Sequence, residues 1–108
     1  MITATFNKYV DSLEILHTVK GHAGQAELGK DIVCSAASVL TQTLAQVIID
    51  HKNKIKGKPF ICLESGDTVI YCKCKNWQTF YELSQAVEFA EKGYELLAHN
   101  YPQFVELE

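Results

Sequence analysis

At 108 residues, with 47% hydrophobic and 21% charged residues, the chain has the size and balance of one globular domain, residues 1–108, around a single core. A formal net charge of −3 argues against direct nucleic-acid binding, which needs basic surface to displace counterions from phosphates. No apolar run is read as a membrane span of roughly 18 residues, and no basic-then-apolar export signal opens the chain. The expected setting is therefore the cytoplasm, with the four cysteines reduced and no membrane partner. The short basic cluster Lys52, Lys54, Lys56 and Lys58 reads as a solvated loop.

Residues 2–8 alternate, with Ile2, Ala4 and Phe6 on one side, as in a half-buried strand. A turn near Asp11-Ser12 leads to a second alternating run over 13–20, which predicts an antiparallel hairpin. Residues 21–30 contain Gly21, Gly24 and Gly29 and predict a glycine-rich loop. Asp31 then reads as the N-cap of an amphipathic helix running to about Asn53, with apolar positions 33, 36, 37, 40, 44, 47 and 48.

Gly57 and Pro59 end that connection, Phe60 to Leu63 predict a strand, and Gly66-Asp67 a turn. Residues 68–75 alternate again, with Ile70, Cys72 and Cys74 on one face. A second long helix follows Asn76, its stripe formed by Phe80, Leu83, Val87, Ala90, Tyr94, Leu97 and Tyr101. Pro102 ends it, and Phe104 to Leu107 predict a short edge strand. The expected fold class is α+β: a two-layer sandwich, with a mostly antiparallel sheet of four to five strands and two long helices on one face.

Cys34 is the third residue after Asp31. At a helix start, unpaired N–H groups and the positive end of the dipole favour a thiolate and can hold an oxyanion. The same position equally suits a small apolar residue. Acyl transfer by a thiol needs a base. His51 lies about 25 Å further along the same helix at 1.5 Å per residue. His99 is near the far end of the second helix, and His17 sits in a strand and reads as structural. His22, inside Gly21-His22-Ala23-Gly24, has a flexible segment long enough to fold back onto Cys34. Asp31 has two open roles, helix cap or orienter of the imidazolium. Cys72-Lys73-Cys74 lacks the spacing and the second pair of a zinc site and reads as core filling, so neither metal nor cofactor is expected.

Gly21-His22-Ala23-Gly24, then Gly29, Asp31-Ile32-Val33-Cys34 and Ser38, resembles the motif of the ribosomal-processing cysteine protease Prp family. The resemblance extends to Tyr101-Pro102 and the short strand beyond it. It implies Cys34 and His22 as a catalytic dyad, a flexible glycine loop over the site, and a homodimer. It also implies a substrate, the N-terminal extension of a large-subunit ribosomal-protein precursor. Ser38, one turn beyond Cys34, is expected to line the site or support the loop. Ser35 and Ala37 depart from the Ala and Val frequent in the family, which bears on fine specificity only. Two rivals predict different behaviour: a non-catalytic ribosome-assembly factor binding the same peptide or rRNA, and a thiol sensor using oxidation of Cys34.

Overall fold

The computed structural model describes the backbone of residues 1–22 and 28–108, and the side chains of residues 1–22 and 32–108. Strands β1 (Ile2–Tyr9) and β2 (Glu14–Lys20) form an antiparallel hairpin whose turn places Leu13 at φ 59°. Helix α1 (Leu28–Asp50) follows, then a short 3-10 turn (Lys52–Lys54). Strands β3 (Phe60–Glu64) and β4 (Asp67–Lys73) form a second hairpin, followed by α2 (Trp77–Asn100) and β5 (Val105–Leu107).

The sheet order is β3-β4-β2-β1-β5, antiparallel throughout except for β5, which runs parallel to β1. This is the expected α+β sandwich. Its helix-facing surface is set by register: Ile15 lies opposite Cys72, and His17 lies between Phe6 and Ile70. Because side chains alternate with a period of two, this pairing sends one continuous apolar set toward the helices. Ile15, Ile70, Cys72 and Cys74 pack with Leu44, Ile48, Leu83 and Val87 in one half of the core. Ile2, Ala4, Val33, Ala37, Tyr94 and Val105 fill the other half. Cys72 and Cys74 are thus core residues as read from the sequence, and burial pushes the Cys72 thiol up to about 12.

Both helices bury most of the stripe their periodicity announced, with Ala36, Leu40 and Val47 of α1 and Leu97 of α2 half-buried and Tyr101 lying just beyond α2. In α2 it comprises Phe80, Leu83, Val87, Ala90 and Tyr94, and the side chain of Asn76 caps the helix by accepting from Thr79 N at 2.9 Å. Gly93 within α2 has a packing reason, since a Cβ there would sit 2.6 Å from Leu40 Cδ2 of α1. Glycine lets the two helices close at that point.

Two expectations need correction. Helix α1 begins at Leu28, so Asp31 falls inside its first turn and is not the N-cap. One interior glycine costs only roughly 1 kcal/mol, so Gly29 does not stop the helix. In addition, Ile32–Asp50 is apolar and long enough to cross a bilayer, contrary to the reading that no such run exists. In this fold α1 turns Val33, Ala37, Leu44, Ala45 and Ile48 into the core, as expected of a helix covering a sheet.

Candidate active site

A cleft of about 280 Å³ opens between the end of β2, the β3–β4 turn and the middle of α1. Its walls include His22 and Gly66 on one side, Cys34, Ser38 and Thr41 of α1 on the other, and Tyr94 of α2. Cys34 is half-buried against the core formed by Val33, Ala37 and Ile2, whereas His22 and Ser38 are exposed. The candidate nucleophile and candidate base therefore line one cavity, although 12 positions separate 22 from 34 in the chain.

His22 reaches the cleft because the chain turns sharply after β2. Gly21 takes φ +87°, a conformation that side chains resist, and its N–H donates to Gly66 O at 2.9 Å. This bond ties the segment after β2 to the β3–β4 turn, 45 positions further on. Gly66 itself takes φ +75° and forms a bare platform for the imidazole: a Cβ there would lie 2.4 Å from His22 Nε2.

Cys34 is the seventh residue of α1, counting from Leu28. Its N–H therefore falls after the first four, the set without a carbonyl partner inside a helix. At 1.5 Å per residue the helix start is about 9 Å away. The expectation that the helix start activates Cys34 and holds an oxyanion is thus overturned.

Of the other expected site residues, Ser38 lines the cleft one turn beyond Cys34, and Gly21 lines it beside His22. Gly29 and Asp31 both fall in the first turn of α1, and the side chain of Asp31 lies outside the described residues. Gly24 also lies outside them, as does the part of the predicted loop at residues 23–27. His51 is held at the opposite end of α1, its Nδ1 donating to Val47 O at 2.7 Å and its Nε2 3.4 Å from Glu82. His99 lies in the last turn of α2.

His17 is fully buried beneath the cleft. Its Nδ1 is 2.9 Å from Thr5 O, and its Nε2 is 2.9 Å from Thr41 Oγ1. The ring stacks on Phe6 at 4.2 Å between centroids. Burial drives its pKa down from 6.5 to about 4, against the opposing pull of the Thr5 carbonyl. Above pH 6.5 the folded and unfolded chains both hold this ring neutral, and its contribution to stability is complete. As pH falls toward 4 the unfolded chain protonates first, so that stability is lost, by up to about 3 kcal/mol. Melting temperature should accordingly drop more steeply between pH 6.5 and 4 in the wild type than in His17→Asn. Parallel curves would contradict the burial of a neutral ring.

The β3–β4 wall and the Thr41–Tyr94 floor carried no sequence signal as site residues. Thr41 shares the Cys34 face of α1, and along that face Thr41 and Ala45 are buried while Ser38 is exposed.

The family model for cysteine protease Prp matches residues 1–106. Among solved structures, SMU.848 from Streptococcus mutans is 25% identical with a TM-score of 0.70, covering 100% of this chain and 92% of that one. The ribosomal processing protease Prp from S. aureus, solved with a substrate peptide, is 18% identical with a TM-score of 0.72, covering 100% of this chain and 98% of that one. The same S. aureus protease with a covalently linked product peptide aligns at 22% identity and TM-score 0.71, with coverage of 100% and 98%. At these last two identities the likeness establishes the fold. No curated protein matches the chain.

Proposed function

Because the chain belongs to the cysteine protease Prp family, we propose that it is a cytoplasmic cysteine endopeptidase in which Cys34 is the nucleophile and His22 its acid/base partner. The observation that carries this reading is the shared cleft, which Cys34 lines from α1 and His22 from the segment after β2. Sulfur and imidazole lining one cleft supply the two groups that thiol acyl transfer uses, a nucleophile and a base.

In the proposed reaction His22 takes the Cys34 proton, and the thiolate attacks the scissile carbonyl carbon. The tetrahedral intermediate collapses with cleavage of the C–N bond as the imidazolium gives its proton to the leaving amine. Water, deprotonated by the same imidazole, then hydrolyses the thioester and frees Cys34. Ser38 lines the cavity on the Cys34 side and is assigned to contact with the bound peptide.

The substrate proposed is the N-terminal extension of a large-subunit ribosomal-protein precursor. The chemistry of the S. aureus relative supports this, being a ribosomal processing protease that binds a substrate peptide. Mass spectrometry of the precursor after incubation with the protein tests it. One new cleavage near the precursor N-terminus is expected, and an intact precursor would reject the assignment.

A homodimer is also proposed. The outer face of the helix layer exposes Ile32, Val39 and Leu96, and Phe89 is 80% exposed. Apolar patches of this kind on a small domain mark contact surfaces. Phe89→Glu should shift the light-scattering mass from two chains to one. An unchanged mass, whether of one chain or two, would remove this face from the account.

A further inference from the structure

Four polar contacts run in a single line beneath the cleft: Thr5 O to His17 Nδ1, His17 Nε2 to Thr41 Oγ1, Thr41 Oγ1 to Tyr94 Oη, and Tyr94 Oη to Ala37 O. The line ties β1, β2, α1 and α2 together, and its α1 members lie three and seven positions beyond Cys34. Thr41, Tyr94 and Ala37 all line the cavity that holds Cys34. His17, Thr41 and Tyr94 are each buried, so no solvent competes for these bonds.

Counting hydrogens fixes the direction of the line. Both ends are carbonyl oxygens, which only accept. A neutral His17 carries one hydrogen and each hydroxyl carries one, giving three hydrogens for four contacts. Nδ1 faces Thr5 O at 2.9 Å, so the ring hydrogen is there and Nε2 is bare. Thr41 must then donate to Nε2, which uses its only hydrogen. The short 2.6 Å contact between Thr41 and Tyr94 therefore takes its hydrogen from Tyr94. That hydrogen is shared with Ala37 O at 3.0 Å, the contact left short. An imidazolium would supply the missing hydrogen, but burial keeps the ring neutral down to about pH 4. Titratable groups on the elements packed round the ring include Tyr94 of α2, Cys72 of β4 and Cys34 of α1. Burial raises the pKa of the first two, which keeps both neutral.

We infer that His17, Thr41 and Tyr94 are positioning residues for the cleft. Their hydrogen bonds run one way, from Tyr94 through Thr41 to the bare Nε2 of a neutral His17, and hold the α1 wall that presents Cys34. Both hydroxyls have their hydrogen-bond partners within the line itself. Each acts through the placement of α1, and this role rests on the reading of the cleft as an active site. A reversed or broken line leaves a buried acceptor unmatched and lets α1 shift against the sheet.

Nitrogen-15 NMR of His17, together with iodoacetamide labelling resolved by peptide mass mapping, tests the inference. In the wild type His17 should show the Nδ1–H tautomer at pH 7. Thr41→Val and Tyr94→Phe should move the amide resonances of residues 34–38. They should also slow alkylation of Cys34 by about two- to thirtyfold, with Cys62 on β3 unchanged as internal control. Thr41→Ser, which keeps the hydroxyl, should restore both readouts. An Nε2–H tautomer would overturn the direction of the line. Wild-type amide shifts in both Thr41→Val and Tyr94→Phe would overturn the positioning role. Wild-type Cys34 reacting no faster than Cys62 would count against the dyad alone, and the amide shifts would still decide the relay.

Discussion

Cys34→Ala should abolish cleavage of the ribosomal-protein precursor, lowering kcat/KM by at least about 10⁴-fold, while the protein stays folded. The size follows from chemistry: without the sulfur no thioester forms, and what remains is the modest contribution of binding and orientation. Folding should survive because Cys34 sits half-buried at the cleft wall, not in the centre of the core. Loss of one small side chain there should change stability by no more than about 1 kcal/mol. The pairing of an inactive enzyme with a near-normal melting temperature separates a catalytic role from a packing one. Retained cleavage by Cys34→Ala would remove the nucleophile assignment outright. Cys72→Ala is the useful contrast, since it empties a fully buried site and should destabilise the protein.

Gly66→Ala should lower cleavage by displacing the imidazole, with a smaller loss than removing that ring would give. His22→Ala deletes the one imidazole lining the cleft among the described residues, and positioned general acid–base catalysis contributes about 10²–10⁴-fold. Since α1 starts about two turns before Cys34, the helix start offers the sulfur little help, and the proposed reaction leaves its activation to the imidazole. The methyl group of Gly66→Ala would arrive 2.4 Å from His22 Nε2 and 2.8 Å from Cε1. The exposed imidazole must shift away from that position, and the φ of +75° adds strain of about 1 kcal/mol for any side chain. We expect kcat to fall by one to two orders of magnitude with a smaller change in KM, on the scale that misplacing a catalytic group produces. The readout is steady-state cleavage of a precursor peptide. Unchanged kcat in Gly66→Ala would show that the imidazole works from somewhere other than the β3–β4 turn.

The architecture was legible wherever one local period governed a whole element. Alternation at Ile2, Ala4 and Phe6, and at Ile70 and Cys72, reports a sheet with a single covered face, and the α2 stripe from Phe80 to Tyr94 was read residue by residue. The start of α1 was not legible. Gly29 looked like a breaker and Asp31 like a cap, yet propensity is a weak prior that a long amphipathic helix overrides. This single misplacement moved Cys34 from the third helical position to the seventh.

The site was half legible. Cys34 and His22 stand out because a thiol, an imidazole and flanking glycines occur close together in the chain. Gly66 could be read only as a turn, since its role depends on a hydrogen bond to Gly21 across 45 positions. His17 was read as structural, which agrees with its burial. Its connection through Thr41 to Tyr94 joins three elements and leaves no pattern along any one of them.

The most direct measurement is intact-mass spectrometry of the protein quenched with acid during turnover of a precursor peptide. If the imidazole and sulfur act as a pair, the protein gains the mass of the N-terminal fragment less water, on the peptide containing Cys34. The adduct should be absent in His22→Ala. Cleavage of the precursor with an adduct on another residue, or an undiminished adduct in His22→Ala, would contradict the account.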